Sequence, residues 1–280
     1  MTYLISAETL HGWMDEKDVV IIDVRAHLQD ENFGKKAYEK DHLPGAHFLD
    51  LEEDLSGEVK KHGGNHPFPN LELFAEKLGA IGIDQDTPVV VYDDESNMFA
   101  PRAWFLLRHL GHCQVYVLNG GYKAWQAAGY ELTTEPAQAE AKTFRPRINE
   151  EELVTVEEVK NRHEDVILID ARARERYLGI EEPLYAKKGH IPGAINYFWG
   201  QAVDENGLWK DEERLREHFK DLPKDKPIIM SCGSGVSACG NILALRSLGF
   251  DNVKLYPGGF SDWISYDDNK VERKDESKLK

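Results

Sequence analysis

Apolar positions in this chain come in short unbroken runs, and the runs give way to stretches with a different period. Val166 to Asp170 is a continuous apolar run closed by an acid, the pattern of a strand buried on both faces of a parallel sheet. Pro227 to Ser231 is a second such run. From Val236 to Leu248 the period changes. Apolar residues 242, 243, 245 and 248 fall on one face, which predicts a helix. Gly249 then serves as its C-terminal cap, and Val253 to Tyr256 predicts the next strand. Strands alternating with helices predict an α/β fold with a parallel, doubly wound sheet flanked by helices.

The chain contains this order twice. Val19-V-I-I-D-V-R-A recurs as Val166-I-L-I-D-A-R-A, His42-L-P-G-A-H as His190-I-P-G-A-I, and Asn119-G-G-Y-K-A-W as Pro257-G-G-F-S-D-W. The offsets are 147 residues from Asp23 to Asp170, 148 from His42 to His190 and 138 from Gly120 to Gly258. Such a period is too long for a solenoid and marks a domain duplication. The predicted organisation is a first domain at 1–134, a linker at 135–152, a second domain at 153–270 and a charged tail at 271–280. The linker carries little apolar content and two prolines, as a surface-crossing segment does.

Composition narrows the function. The 280 residues are 41% hydrophobic and 30% charged, with a net charge of −16. That charge repels phosphate backbones and anionic membranes, so neither nucleic acid nor membrane is expected as a partner. Three cysteines, at 113, 232 and 239, make no disulfide framework and fit a reducing compartment. No signal peptide and no run of 18 apolar residues is read, so the expected location is cytoplasmic.

The candidate chemistry sits at Cys232, where the strand at 227–231 ends in C-G-S-G-V-S before the helix. Ligands of open α/β sheets bind beyond the carboxyl ends of strands. Gly233 and Gly235 let the backbone curl, so that the N–H groups of residues such as Val236 and Ser237 turn inward as an anion nest. A thiol there is expected to have a lowered pKa and to act as a nucleophile. The alternative is a buried structural cysteine beside a glycine turn. Carrying the 138-residue offset back from Cys232 reaches Asp94, so one copy carries a thiol and the other an acid.

These residues resemble the two-domain rhodanese superfamily, the thiosulfate and 3-mercaptopyruvate sulfurtransferases. The resemblance rests on D-x-R near each domain start, G-H-I-P-G-A, C-G-S-G-V-S, A-P-R-A-W and G-G-F-x-x-W, and it spans nearly the whole chain. It implies two tandem rhodanese-like domains, the second catalytic, and a persulfide on Cys232. The sulfur comes from a small-molecule donor and passes to a thiol such as reduced thioredoxin, or to cyanide. No cofactor and no metal is implied. The neutral loop is similar to the mercaptopyruvate branch, with a thiosulfate-preferring enzyme as the alternative.

The same resemblance places Arg176 and Arg172 at the donor, with a structural ion pair as the other reading of Arg172. It makes Ser234, His66 and Glu52 a relay that polarises the substrate. The branch has a second clamp arginine where this chain has Tyr185, followed by Lys187 and Lys188. His42 and His190 precede a Pro-Gly turn in both copies and read as structural, and Trp125 and Trp263 read as core anchors. Cys239 reads as core, with a resolving thiol as the alternative. Two rivals remain: a phosphatase of C-x5-R type, whose arginine position is occupied by Ala238, and a sulfur-carrier or protein-binding pair.

Overall fold

The structure is a computed structural model that describes residues 3–94 and 98–273. Its elements divide between two compact units. One comprises Met1–Gly57, Phe68–Glu150 and Val203–Trp209, and the other Glu58–Pro67, Glu151–Ala202 and Lys210–Lys280. Each unit therefore takes a short segment from the other half of the sequence, which no periodicity announced.

The first unit is built on strands β1 (Leu4–Ile5), β2 (Val20–Asp23), β3 (Ala46–Phe48), β4 (Val89–Tyr92) and β5 (Val115–Leu118). They are all parallel, in the order β1-β5-β4-β2-β3. Its helices are α1 (Ala7–Glu16), α2 (Phe33–Lys40), α3 (Leu71–Ala80), α4 (Ala100–His109) and α5 (Gly121–Ala127). Polar caps start several of them. Asn70 accepts the Glu72 and Leu73 N–H groups at the head of α3, a contact that contributes about 1 kcal/mol.

The second unit repeats the plan with β6 (Ile167–Asp170), β7 (Ile195–Asn196), β8 (Ile228–Ser231) and β9 (Val253–Leu255), ordered β7-β6-β8-β9 and again parallel. The place of β1 is held by a single parallel bridge between Leu153 and Leu255. Its helices are α6 (Val156–Lys160), α7 (Arg174–Leu178), α8 (Glu212–His218), α9 (Ala238–Ser247) and α10 (Gly259–Trp263). The predicted helix from Val236 begins at Ala238, because Val236 and Ser237 belong to the loop. Gly249 ends it at φ +82°, as a C-terminal glycine should.

The duplication extends to individual side chains. His42 donates Nδ1–H to Tyr38 O (2.7 Å) and His190 to Tyr177 O (2.6 Å). Each histidine stacks on that same tyrosine, with ring centroids 3.8 and 3.9 Å apart. Trp125 and Trp263 are buried and donate to Glu131 O and Lys270 O. The segment read as a linker is fastened along the first unit. Lys142 N–H donates to Gly79 O, Arg147 N–H to Leu110 O and Asn149 N–H to His109 O. Of the charged tail, residues 274–280 lie outside the described residues.

Candidate active site

Strand β8 pairs Ser231 with Asp170, which sets Cys232 one residue past the carboxyl end of a central strand. The Cys232 carbonyl accepts the Phe260 N–H (2.8 Å) and that of Gly233 accepts Ser261 N–H (2.9 Å). These two bonds tie the loop to the head of α10. Gly235 sits at φ +78°, and any side chain there would run into the Pro257 carbonyl, so the curl requires glycine twice over. Cys232 is 2% exposed.

The loop leaves four of its amides uncommitted among the described residues. Among the described residues, no protein acceptor takes the backbone N–H of Gly233, Ser234, Val236 or Ser237. The first three of these residues are buried. Buried N–H groups rarely lack partners, so several in one loop at the head of the ten-residue helix α9 form a cradle for negative charge.

The first unit shows what such a loop does without a thiol. There β4 pairs Tyr92 with Asp23, and the Asp93 carbonyl accepts the Tyr122 N–H at 2.8 Å. The residue matching Cys232 is therefore Asp93. The sequence offset gave Asp94, because the first loop is one residue longer between strand and helix. Asp93 is buried, and its Oδ2 accepts the N–H groups of Phe99 (2.9 Å) and Ala100 (3.0 Å) at the head of α4. In the first unit a built-in carboxylate thus takes the amides at the helix head.

Two predicted relay members meet. His66 Nδ1 lies 2.6 Å from Ser234 Oγ. His66 arrives on the segment Glu58–Pro67, which is fastened to α10 and the turn beyond it. Gly63 N–H donates to Asp262 Oδ1 (2.7 Å), Asn65 N–H to Ser261 Oγ (3.1 Å), and His62 Nδ1 to Ser265 Oγ (2.7 Å). Asp262 also accepts the Tyr256 hydroxyl (2.6 Å). Burial, the hydrogen bond to Asp262 and its charge all push the Tyr256 phenol well up. Glu52, the predicted acid, is an exposed residue of a turn in the first unit, its N–H given to Asp50 Oδ1 (2.8 Å).

The two arginines separate. Arg172 has a side chain 1% exposed. It is held by Asp170 (Nη2–Oδ2 2.6 Å), Glu182 (Nη1–Oε2 3.0 Å) and Gly189 O (2.7 Å). Arg25 repeats the arrangement in the unit without a thiol, on Asp23 and Asp41 O. Arg172, expected at the donor with a structural ion pair as the other reading, thus has its guanidinium engaged by the protein. Arg176 forms a fork on the same Glu182, with Nη2–Oε1 at 2.8 Å, and its side chain keeps 20% exposure.

Sequence reasoning passed over Glu182, Ser261 and Asp262. Glu182 joins both arginines from within an unremarkable E-E-P-L-Y. Ser261 and Asp262 carry the His66 segment, and the signal for them was G-G-F-S-D-W against G-G-Y-K-A-W in the first copy. Tyr185 covers the loop so closely that a side chain at Gly233 would strike its hydroxyl. Cys239 is buried and its thiol meets Gly235 O (3.4 Å). No cluster of three or more His, Cys, Asp or Glu side chains is placed to hold a metal among the described residues. No helix among them is long and apolar enough to cross a membrane.

A family profile described as a rhodanese-like domain matches residues 6–128 and again 155–266. A "Probable 3-mercaptopyruvate sulfurtransferase" of Pseudomonas aeruginosa is 38% identical over 269 residues, covering 94% of this chain and 95% of its own. A "Thiosulfate sulfurtransferase" of Rattus norvegicus is 34% identical over 269 residues, covering 92% and 89%. The crystal structure of SseA from Escherichia coli, described under 3-mercaptopyruvate sulfotransferases, is similar at TM-score 0.81 and 35% identity. It covers 93% of this chain and 100% of its own.

Proposed function

This chain belongs to the rhodanese family, and from that premise we propose that it is a sulfurtransferase carrying sulfur as a persulfide on Cys232, with 3-mercaptopyruvate as its preferred donor. The observation that carries the reading is the cradle of uncommitted amides around Cys232, in the place where Asp93 puts its side chain in the other copy.

Cys232, as the thiolate, attacks the sulfur of the donor. A sulfur–sulfur bond forms and the donor's carbon–sulfur bond breaks. The electron pair leaves on the three-carbon fragment as an enolate, which takes up the proton released by the donor thiol and departs as pyruvate. The amides of Gly233, Ser234, Val236 and Ser237 hold the charge on sulfur as it moves, and preorganised donors of this kind cost no rearrangement during the step. The Ser234–His66 pair conveys the proton. Arg176 orients the carboxylate by its planar fork. In the second half-reaction a thiol or cyanide attacks the outer sulfur, the sulfur–sulfur bond breaks, and the Cys232 thiolate is restored. The division of labour follows the duplication: domain 153–270 performs the transfer, and domain 1–134 is catalytically silent.

The absence of lysine or arginine from residues 232–237 favours a donor with a single carboxylate over a dianion such as thiosulfate. A side-by-side comparison of kcat/KM for the two donors, with cyanide as acceptor, tests this. Cys232→Ser is expected to abolish transfer from both with the fold retained. Transfer surviving in that variant would refute the mechanism, and a preference for thiosulfate would refute the donor.

A further inference from the structure

A cleft of about 660 Å³ opens on the second unit, between the turn after α6, the Pro192–Gly193 turn and the segment from Trp263 to Lys270. Val166, the residue before β6, also lines it. Cys232 follows β8, which runs parallel to β6. The cleft and the thiol therefore lie at opposite ends of one sheet.

The cleft holds charges of both signs that the protein does not use. Arg162 is half-buried, with Nη1–H given to Val159 O (2.7 Å) and Nη2–H to Pro192 O. A side chain at Gly193 would run into this guanidinium. Two of its five N–H donors are thus spent on carbonyls, and the group is held in place with three left over. Burial lowers its pKa, and no carboxylate acts against that. Among the described residues, Lys270, Glu164 and Asp268 also line the cleft with no ion pair of their own. The other cations there are answered, Lys160 by Glu157 (3.1 Å) and His163 by Asp165 (3.2 Å). Val166, Pro192 and the indole of Trp263 supply apolar wall, the indole fixed by its N–H bond to Lys270 O (2.8 Å).

The first copy treats the matching place differently. Beside Val19 and Gly45, the counterparts of Val166 and Gly193, the cavity is lined by Gln138, Ala139, Glu140 and Lys142 of the chain's own linker. There Lys142 Nζ meets Asp18 Oδ2 at 2.9 Å. Cation and acid are joined within the protein in one copy and stand apart in the other.

We propose that the cleft of the second unit binds a zwitterionic amino acid with an apolar side chain, its carboxylate on Arg162, its ammonium group on Glu164 or Asp268, and its side chain against Trp263. A guanidinium fork suits a carboxylate, and one already held by carbonyls loses little freedom on binding. A ligand of one charge would answer one sign and leave the other, whereas a zwitterion answers both. The volume is ample for such a molecule. The inference goes beyond the sulfurtransferase reading and stands apart from it.

The test is calorimetric titration of the full-length protein with L-phenylalanine, phenylacetate and 2-phenylethylamine, which share a ring and differ in charge. Phenylalanine is expected to bind at one site, about tenfold tighter than either single-charge probe, the worth of one further hydrogen bond to a charged group. Arg162→Gln is expected to weaken phenylalanine by about tenfold. The double variant Glu164→Gln with Asp268→Asn changes only exposed side chains, so it keeps the test open if Arg162→Gln does not fold. It should bind phenylalanine no better than phenylacetate. Cys232→Ser should bind phenylalanine as wild type does. No saturable binding of phenylalanine up to about 10 mM would overturn the proposal. So would equal affinity of wild type for phenylalanine and phenylacetate, undiminished binding in the double variant, or binding lost in Cys232→Ser, which would put the ligand at the thiol.

Discussion

The carboxylate of Asp262 accepts the backbone N–H of Gly63 at 2.7 Å, joining residues 199 positions apart in the sequence. Three residues beyond Gly63, His66 reaches Ser234. Asp262 therefore fixes the approach of the histidine without touching the loop itself. Asp262→Ala removes the acceptor for both Gly63 and the buried Tyr256 hydroxyl, and should destabilise the protein by about 1–3 kcal/mol. It should also lower kcat by about 10- to 100-fold, because a relay displaced by an ångström loses that much. The distinguishing measurement is the double variant with His66→Ala. If Asp262 acts through His66, the second change adds little. Fully multiplicative losses would reduce Asp262 to a stability residue.

Asp93 gives the complementary case. It caps α4 from the position that Cys232 holds in the other copy. Asp93→Ala leaves the buried N–H groups of Phe99 and Ala100 without their acceptor, at a cost of about 1–3 kcal/mol. Sulfur transfer should keep its wild-type kcat/KM at a temperature where the variant is folded. Denaturant unfolding and steady-state kinetics on the same preparation check both halves. A loss of activity without a loss of stability would place the first copy inside the chemistry.

Both halves of this comparison were partly legible in the sequence. Parallel strands, the loop after β8 and the duplication all follow from local pattern, because apolar runs and glycine positions are set by backbone geometry. The pairing of Ser234 with His66 followed from the family resemblance. Local pattern could not show that Glu58–Pro67 joins the second unit, since that contact is made by side chains 196 to 203 residues away in sequence. Nor could it align Asp93 with Cys232, because a single-residue length difference in an irregular loop is visible only once strand register is known. The role of Arg172 was open for a related reason: D-x-R recurs in both copies, and only the geometry shows Arg25 in the same fork.

The two arginines of the second unit should therefore respond differently to removal. Arg172→Ala leaves Asp170 and part of Glu182 buried without their cation, which costs about 3–5 kcal/mol. Arg176→Ala leaves Glu182 still paired with Arg172 and should cost only about 1 kcal/mol or less. Its effect should appear in the donor KM with kcat little changed, the signature of lost uniform binding. Urea unfolding paired with donor titrations decides the matter. A stable Arg172→Ala protein with a raised KM would return that residue to the substrate site.

Alkaline titration should expose the phenols that folding keeps neutral. Burial, together with the hydrogen bond to Asp41 and its charge, raises Tyr122 from 10.0 to about 12, and Tyr92 is pushed up chiefly by burial. Below pH 10 these groups are protonated in both folded and unfolded chains, and their contribution is fully present. Between pH 10 and about 12 the unfolded chain releases protons that the folded chain retains, so the stability of the fold must fall as pH rises. Urea midpoints taken from pH 9 to pH 12 should decline across that window, and Tyr122→Phe should show a shallower decline than wild type. Comparing slopes rather than absolute midpoints removes the cost of the lost Asp41 hydrogen bond, which is the same at every pH below the window. Equal slopes for the two proteins would mean that the Tyr122 phenol ionises as readily in the folded state as in the unfolded one.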